Sequence, residues 1–165
     1  MKKALITGFS SGIGLAYAKH LIKNNWHLDL VSQDIERSKL ALEALNSSNC
    51  SAYSCDLSSP NDLESLMLKI STPDLLIANA GIGINGSVGK NSPKEIKNAT
   101  YLMFGGVINL IEYFLPKMKE KDAGRVVIIS SIGALIPMPK SSIYAAVKSG
   151  TVSYTHLTLP TILLV

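Results

Sequence analysis

Three glycines near the start constrain the fold of this chain more than any other feature. Residues 4–14 read ALITGFSSGIG, so a short apolar run ends at Thr7 and is followed by Gly8, Gly12 and Gly14. Glycines permit a tight turn, let the backbone approach a pyrophosphate and let a helix pack closely on a strand. The N-terminus of the following helix offers free N–H groups and the positive end of the helix dipole. The pattern therefore predicts a strand, a phosphate-binding turn and a helix.

The amphipathic segment that follows extends to about Asn24, and the residues expected to face inward are Ile13, Ala16, Tyr17 and Leu21. The glycine spacing is Gly-x3-Gly-x-Gly and differs from the commoner Gly-x-Gly-x-x-Gly arrangement. From the glycines alone, a purely structural strand-to-helix turn is the alternative interpretation.

Strand and helix patterns alternate along the rest of the chain. The predicted strands are residues 4–7, 28–32, 51–55, 75–78 and 125–130, and the predicted helices are 12–24, 35–45, 61–70, 93–119 and 143 onward. This alternation predicts an α/β domain, a doubly wound parallel sheet of the Rossmann type with strand order 3-2-1-4-5. Ligands bind such sheets at the carboxyl ends of the strands, near the switch point between strands 1 and 4.

A tyrosine and a lysine four positions apart indicate acid–base chemistry near the other end of the chain. Tyr144 and Lys148 fall on one face of the last predicted helix, about one turn apart. An ammonium near a phenol favours the phenolate and so lowers the pKa of the tyrosine. Such a phenol can exchange a proton with a substrate oxygen, and Ser131 could hydrogen-bond the same oxygen. An ordinary solvated helix face is the alternative for this pair alone.

Together these motifs resemble one family, the short-chain dehydrogenases/reductases. The glycine-rich stretch that begins at Thr7 resembles the cofactor fingerprint of that family, Thr-Gly-x3-Gly-x-Gly. Residues 79–81, Asn-Ala-Gly, resemble the end of its Asn-Asn-Ala-Gly motif, with Ala78 in place of the first Asn. Ser131 precedes Tyr144 by the catalytic spacing of the family, and the sequences at 115–118 and 124–127 match its usual approach to that serine. The resemblance covers about residues 3 to 150.

The resemblance implies hydride transfer between a nicotinamide cofactor and a carbonyl or alcohol. It implies catalytic roles for Ser131, Tyr144 and Lys148. The implied cofactor-binding residues are Gly8, Ser10, Ser11, Gly12, Ile13, Gly14, Ser32, Asp56, Asn79, Ala80 and Gly81, together with Tyr144 and Lys148. Asp56 would meet the adenine ring, although a capping role before the next helix is an equal alternative. We predict one NAD(P)-binding domain over residues 1–150, lacking the last two strands of the family.

The end of the second strand favours NADP(H) over NAD(H). A carboxylate at this position binds the ribose 2′-hydroxyl of NAD and repels the 2′-phosphate of NADP. Ser32 stands where the NAD-type carboxylate would be, and Gln33 stands where NADP-type members often carry arginine. Asp34 comes one or two positions too late for the NAD role, and Arg37 is nearby.

One position departs from the family pattern. The family carries a fourth catalytic residue, an asparagine in its long helix, and the spacing from Pro116 and from Ser131 places Met103 there. Methionine cannot hold the water that this asparagine positions for proton relay. A dinucleotide-binding sensor or scaffold without catalysis, or an inactive fragment, is therefore the alternative function. A Rossmann-like methyltransferase is remote, because it would need an acidic residue at the end of the second strand.

Composition excludes several other functions. The 165 residues are 47% hydrophobic and 17% charged, and the net charge of +4 is dispersed, without basic runs. We expect no nucleic-acid partner, no metal, no membrane span and no signal peptide. Cys50 and Cys55 imply neither a metal site nor a disulfide, so we expect a reducing, cytoplasmic location. The expected partner is a small carbonyl or alcohol substrate, and the resemblance allows a homo-oligomer.

The last fifteen residues break the pattern. Residues 152–161 read VSYTHLTLPT, with three threonines and Pro160, so we expect the helical pattern to stop near Gly150. This stretch resembles the in-frame translation of a transposon sequencing adapter. We therefore predict that residues 151–165 are a non-native tail, and a genuine threonine-rich extension is the alternative.

Overall fold

The structure is a computed structural model that describes residues 1–136 and 138–158. Its strands are β1 (Lys3–Thr7), β2 (His27–Ser32), β3 (Cys50–Ser54), β4 (Leu75–Ala78) and β5 (Arg125–Ile128). Its α-helices are α1 (Gly12–Lys23), α2 (Ile35–Leu45), α3 (Pro60–Lys69), α4 (Pro93–Thr100), α5 (Gly106–Glu120) and α6 (Ser142–Thr158). A π-helical turn (Tyr101–Gly105) joins α4 to α5, and a 3-10 turn (Ile132–Ala134) follows β5.

The five strands form one sheet in the order β3-β2-β1-β4-β5, and every neighbouring pair is parallel. In the central strand, Ala4 is in register with Leu28 of β2 and with Leu75 of β4. The order reverses at β1, so the carboxyl ends of β1 and β4 diverge into separate connections. The predicted Rossmann-like fold and strand order are confirmed.

Helices cover both faces of the sheet because successive strand residues point to opposite sides. Leu5, Val31 and Leu76 pack on one face against α3 and α5. Ala4, Ile6, Leu28 and Leu30 pack on the other face against Ala18 and Leu21 of α1 and Ala41 and Leu45 of α2. Of the α1 residues expected to face inward, Leu21 is buried and Tyr17 is partly buried on this face, whereas Ile13 and Ala16 are exposed. Gly14 and Ala18 are the small residues that face inward instead.

Three helices begin with side-chain caps that explain their boundaries. The Asp34 side chain accepts a hydrogen bond from Arg37 N at the start of α2, and Ser59 accepts one from Asp62 N at the start of α3. At α4, Ser92 and Glu95 form a reciprocal capping box. These side chains satisfy N–H groups that a helix N-terminus otherwise leaves free.

The structure corrects two expectations about helices. The predicted helix at 93–119 is divided by the π-turn around Met103. The last helix does not stop near Gly150: α6 continues to Thr158, and the Tyr154 hydroxyl donates a 2.8 Å hydrogen bond to Glu112 of α5. Packing of the Tyr154 face of α6 against α5 outweighs the weak helix propensity of the threonines in α6. Pro160 and the rest of 159–165 lie outside the described residues. The adapter origin of the tail stays a prediction, which re-sequencing of the source DNA across the Gly150 codon would test.

Candidate active site

A cleft of about 620 Å³ opens at the carboxyl ends of the strands, where the strand order reverses. Eleven of the predicted site residues line it: Gly8, Ser10, Ser11, Gly12, Ile13, Ser32, Asn79, Ala80, Gly81, Tyr144 and Lys148. Gly14, Asp56 and Ser131 are not among its lining residues. We call the part formed by Gly8, Gly12 and Asn79 the phosphate end, and the part formed by Ser130, Tyr144 and Lys148 the catalytic end.

Hydrogen bonds between the ends of β1 and β4 fix the phosphate end. The buried Thr7 hydroxyl accepts hydrogen bonds from Asn79 N at 3.0 Å and from Ala80 N at 3.1 Å. In return, Asn79 Nδ2 donates to Thr7 O at 3.1 Å and to Gly8 O at 2.9 Å. Asn79 therefore holds the two loops together, and this role explains why an amide suits the position.

Two glycines are required by close backbone contacts at the same point. Gly8 has a φ of +68°, and a Cβ there would lie 2.8 Å from the Ala80 Cα. A Cβ on Gly14 would overlap the Gly8 carbonyl oxygen and lie 2.6 Å from Asn79 Nδ2. Gly14 thus supports the site by letting α1 approach the turn, which is the packing role expected for the last glycine of such a motif.

The N-terminus of α1 is suited to an anion. Unlike α2, α3 and α4, this helix starts without a side-chain cap, since the Ser11 side chain makes no capping hydrogen bond. Its first turn carries no acidic residue. Gly12 has a φ of +53°, and beyond its own helix backbone and chain neighbours no atom of residues 1–136 and 138–158 lies within 4 Å of the place where a Cβ would stand. Free N–H groups, the helix dipole and open space fit the pyrophosphate of a dinucleotide.

Beyond the phosphate end, the cleft is lined by the last residue of β2 and the residues that follow it. The Ser32 hydroxyl donates to Ser10 Oγ at 3.1 Å and accepts from Asp34 N at 3.3 Å. Gln33, Asp34 and Arg37 also line the cleft. The Asp34 carboxylate is engaged within its own helix, because it caps α2 and contacts Arg37 Nε at 3.2 Å. In the sequence, Arg37 stands out only because it is close to Asp34. In the structure it lines the cleft.

Lys148 is held firmly at the catalytic end. Its side chain is 5% exposed, and its ammonium donates a 2.7 Å hydrogen bond to Ile129 O, just beyond β5. Burial lowers the pKa of Lys148 from its ordinary value because the charged form is desolvated. The ammonium lies 6.0 Å from the centre of the Tyr144 ring, and both residues line the cleft. The pair therefore lines the cleft and does not lie on a solvated helix face.

Ser131 lies at the start of the 3-10 turn. Its Oγ accepts a 3.1 Å hydrogen bond from Gly133 N. Because an oxygen lone pair is used in this bond, the hydroxyl proton is left to serve as a donor. Met138 packs closely over this turn, with its sulfur 2.5 Å from the place of a Cβ on Gly133. The neighbouring Ser130 lines the cleft and donates from its hydroxyl to Lys148 O at 3.1 Å.

Asp56 and Met103 serve local structure. The Asp56 carboxylate accepts hydrogen bonds from Ser58 N at 2.9 Å and from Ser58 Oγ at 2.7 Å, which is the local bonding expected of a turn residue. Its contact with an adenine ring stays a prediction. Met103 is 1% exposed within the π-turn and packs with Ile84, Ala99 and Val147. An apolar side chain thus fills the place where the resemblance implies a polar one.

Comparisons with known proteins agree with this geometry. The sequence model of the short chain dehydrogenase family matches residues 2–159. A fatty acyl-CoA reductase of Acinetobacter baylyi is 32% identical over 164 residues, which cover 94% of this chain and 55% of that protein. Human 17-beta-hydroxysteroid dehydrogenase type 1 is 27% identical over 162 residues, 87% of this chain and 47% of that one. The chain thus spans about half the length of these relatives.

A solved structure shares this fold. A short-chain dehydrogenase from Sphingobium yanoikuyae, in complex with NADPH, superimposes with a TM-score of 0.90 at 26% identity, over 98% of this chain and 65% of that one. Within the part of the chain that the structure describes, no helix is long and apolar enough to cross a membrane, and no three His, Cys, Asp or Glu side chains gather as a metal site. From its fold, its cleft and these matches, the chain belongs to the short-chain dehydrogenase family.

Proposed function

We propose that this protein is an oxidoreductase that interconverts carbonyl and alcohol groups with NADP(H). The observation that carries the proposal is that one cleft joins an uncapped helix N-terminus to the Tyr144–Lys148 pair. The first feature suits a dinucleotide pyrophosphate, and the second suits proton exchange with a substrate oxygen. Bound NADP(H) would supply or accept the hydride.

Tyr144 and Lys148 of the catalytic end, together with the neighbouring Ser131, would serve the chemistry at the substrate oxygen. Tyr144 would give the proton to this oxygen in reduction and take it in oxidation. Lys148, whose ammonium lies 6.0 Å from the centre of the Tyr144 ring, would place a positive charge beside this proton transfer and hold the ribose near the nicotinamide. Ser131 would donate its free hydroxyl proton to the same oxygen, because its Oγ already accepts from Gly133 N.

The preference for NADP(H) is supported by the residues after β2. A 2′-phosphate would meet the hydroxyls of Ser32 and Ser10 and the guanidinium of Arg37, which lines the cleft and is mostly exposed. The nearest carboxylate, Asp34, is occupied with the α2 cap and with Arg37. Replacing Arg37 with alanine should weaken NADPH binding about tenfold and leave NADH binding nearly unchanged.

The partner we propose is a small molecule that carries a carbonyl or alcohol. Cys50 and Cys55 are free thiols, which fits a reducing compartment such as the cytoplasm. Homo-oligomerisation stays a prediction, and sedimentation of the purified protein would test it.

The test compares the wild type with Tyr144→Phe. NADPH affinity is measured by fluorescence titration, and turnover is measured by NADPH oxidation over a panel of ketones and aldehydes. We expect Tyr144→Phe to lower kcat about 10²- to 10⁴-fold, because the proton donor is lost, with little change in NADPH affinity. Tyr17→Phe, at a half-buried tyrosine of α1 outside the cleft, is the matched control.

Each outcome separates the two candidate functions. Binding of NADPH with no carbonyl reduced by the wild type would support the non-catalytic sensor or scaffold, which the buried Met103 favours. Equal turnover by the wild type and Tyr144→Phe would remove Tyr144 from the mechanism. A wild type that binds neither NADPH nor NADH would contradict both functions.

A further inference from the structure

Two loops are joined beside the catalytic end by a pair of hydrogen bonds. Ser141 Oγ donates to Asn85 Oδ1 at 2.7 Å, and Gly86 N donates to Lys140 O at 2.7 Å. The first loop follows β4 and includes residues 79–81, and the second leads into α6. We call Asn85 and Ser141 the polar clasp. Both residues line the cleft, and the catalytic roles proposed above include neither of them.

Ser141 occupies a position that normally serves the helix itself. It immediately precedes α6, and Ala145 N donates to its carbonyl at 2.9 Å in the first bond of the helix. A serine at such a position commonly caps the first turn with its side chain. Here the hydroxyl bonds instead to Asn85, across 56 residues of sequence. Lys140 is held in the left-handed region, with a φ of +61°, which is an uncommon conformation for a side chain with a Cβ.

The polar clasp lies close to Tyr144. Ser141 precedes Tyr144 by three positions, so the two lie about one turn apart at the start of α6. Ile84, next to Asn85, is buried in the cluster that contains Val147 and touches Tyr144. Asn85 is therefore held at its backbone by the buried Ile84 beside it and at its side chain by the Ser141 hydroxyl.

In the structure, the Asn85 amide presents its oxygen to Ser141. Oδ1 accepts from Ser141, so Nδ2 is the end left to donate. Within residues 1–136 and 138–158, nothing accepts a hydrogen bond from this Nδ2, and Asn85 is exposed in the open cleft. A rotationally restrained donor of this kind discriminates between ligands, because binding a ligand without an acceptor leaves the donor unpaired.

We propose that Asn85 determines substrate specificity by donating a hydrogen bond to a second acceptor oxygen on the carbonyl substrate, with Ser141 as its positioning residue. The substrate class is then a ketone or aldehyde that bears a further carbonyl or ester oxygen, and a simple ketone is disfavoured. This inference rests on the proposed function, because it assumes that the substrate carbonyl lies at Tyr144.

The experiment measures binding to the full 165-residue chain saturated with NADPH, and so does not depend on turnover. Two pairs of probes with equal chain length are compared by saturation-transfer NMR: methyl pyruvate with 2-pentanone, and methyl acetoacetate with 2-hexanone. In each pair, the keto ester carries the second carbonyl oxygen and the ketone does not. We expect the wild type to bind at least one keto ester about 3- to 10-fold more tightly than its partner ketone.

Variants assign this preference to the polar clasp. Asn85→Asp keeps the acceptor for Ser141 but replaces the donor with an oxygen, and we expect the preference to vanish. Asn91→Asp is the matched control, because Asn91 packs near Gly86 outside the cleft, and its preference should stay within about twofold of the wild type. Ser141→Ala should reduce the preference and Ser141→Thr should restore it, since threonine keeps the hydroxyl.

The outcomes separate this inference from the proposed function. Equal affinity for the partners of both pairs, no binding by any probe, or a preference that survives Asn85→Asp overturns the role of Asn85. Loss of the preference in Asn91→Asp as well would assign it to charge and also overturn that role. Turnover of these probes is recorded separately with NADPH oxidation, so a protein that shows the binding preference without turnover fails the proposed function alone. Failure to bind NADPH overturns both.

Discussion

At the phosphate end of the cleft, short hydrogen bonds hold backbone and side chain together, whereas near the catalytic end several apolar side chains face solvent. Thr7 and Asn79 exchange four hydrogen bonds with the adjoining backbone across the seam between β1 and β4. Around the 3-10 turn after β5, Ile132 is 71% exposed and Leu135 is 75% exposed. The β1–β4 junction at the phosphate end is therefore held by its own hydrogen bonds, whereas the surroundings of the catalytic end leave apolar side chains exposed.

The difference indicates which structural elements position the residues of each end. The phosphate end is built directly on buried parallel strands, so its geometry follows from the sheet. The catalytic end depends on α6, which is connected to β5 through a turn and a loop. If this contrast is correct, equal changes at the two ends should differ greatly in their cost. The predictions below test it, from the largest expected effect to the smallest.

Gly14→Ala should have the largest effect. The new Cβ would overlap Gly8 O, which cannot move without shifting the backbone, and would also crowd the Asn79 side chain. We expect a loss of about 3 kcal/mol or more in the free energy of unfolding, with loss of NADPH binding. The matched control is Gly83→Ala, whose Cβ would meet only Asn85 Nδ2, at 3.9 Å. Urea unfolding and NADPH titration measure both quantities, and similar results for the two variants would break the comparison.

Thr7→Val comes next. The substitution keeps the shape of a buried side chain but removes the acceptor of Asn79 N and Ala80 N. Two backbone donors then lose their partner, and we expect a cost of about 2 to 3 kcal/mol in unfolding free energy. Thr155→Val removes a hydroxyl whose one hydrogen bond to the described part of the chain is to Thr151 O within α6, and it should cost less than about 0.5 kcal/mol. A Thr7→Val protein as stable as the control would show that the seam tolerates unpaired donors.

Met103→Asn tests the position where the family carries an asparagine. The side chain is enclosed by Ile84, Ala99 and Val147, so a buried amide should cost about 2 kcal/mol in unfolding free energy. We expect no gain in kcat, whereas Met103→Leu should cost less than about 1.5 kcal/mol. A stable Met103→Asn protein with faster turnover would instead show that the catalytic end has room for the polar residue.

Lys148→Met should have a smaller effect on the free energy of unfolding, and this effect should depend on pH. Since burial lowers the pKa of Lys148 in the folded protein, the unfolded chain binds more protons between that lowered pKa and the ordinary value. The stability of the wild type should therefore rise with pH relative to Lys148→Met across that window. Urea unfolding on both sides of the window measures the difference, and the exposed Lys121→Met should retain the wild-type dependence.

Leu135→Ser should have the smallest effect. The leucine is largely exposed, so its removal should change the free energy of unfolding by less than about 0.5 kcal/mol and leave NADPH affinity unchanged. A loss comparable to that of Thr7→Val would mean that the 3-10 turn is packed against something in solution and would remove the contrast between the two ends.

The sheet and most helix boundaries could be predicted because local signals mark them. Proline and serine indicate the start of α3 and α4, and the glycines fix the turn after β1. The inward face of α1 could not be read from hydrophobicity, since Gly14 and the small Ala18 allow close approach to the sheet while Ile13 turns toward the cleft. The continuation of α6 to Thr158 depends on contacts with α5 that no local pattern encodes.

The site was predictable where it follows strand ends and less so where loops meet. Asn79 could be placed from its motif, but its bonds to Thr7 and Gly8 depend on the register of β1 and β4. The polar clasp was missed for the same reason. Asn85 and Ser141 are distant in sequence, and only the serine before a helix gives a local signal, one that indicates capping.

The strand order has a further consequence for how the protein folds. Strands β1, β2 and β3 pair with their neighbours in sequence, whereas the pairing of β1 with β4 joins residues far apart in the chain. The hydrogen bond between Lys3 N and the Asp74 side chain, for example, spans 71 residues. Closing that long loop comes with a large entropic cost, so we expect the β1–β4 seam to form late in folding. A dinucleotide at this seam would then bind after the rate-limiting step. NADPH should accordingly slow unfolding and leave the folding rate unchanged.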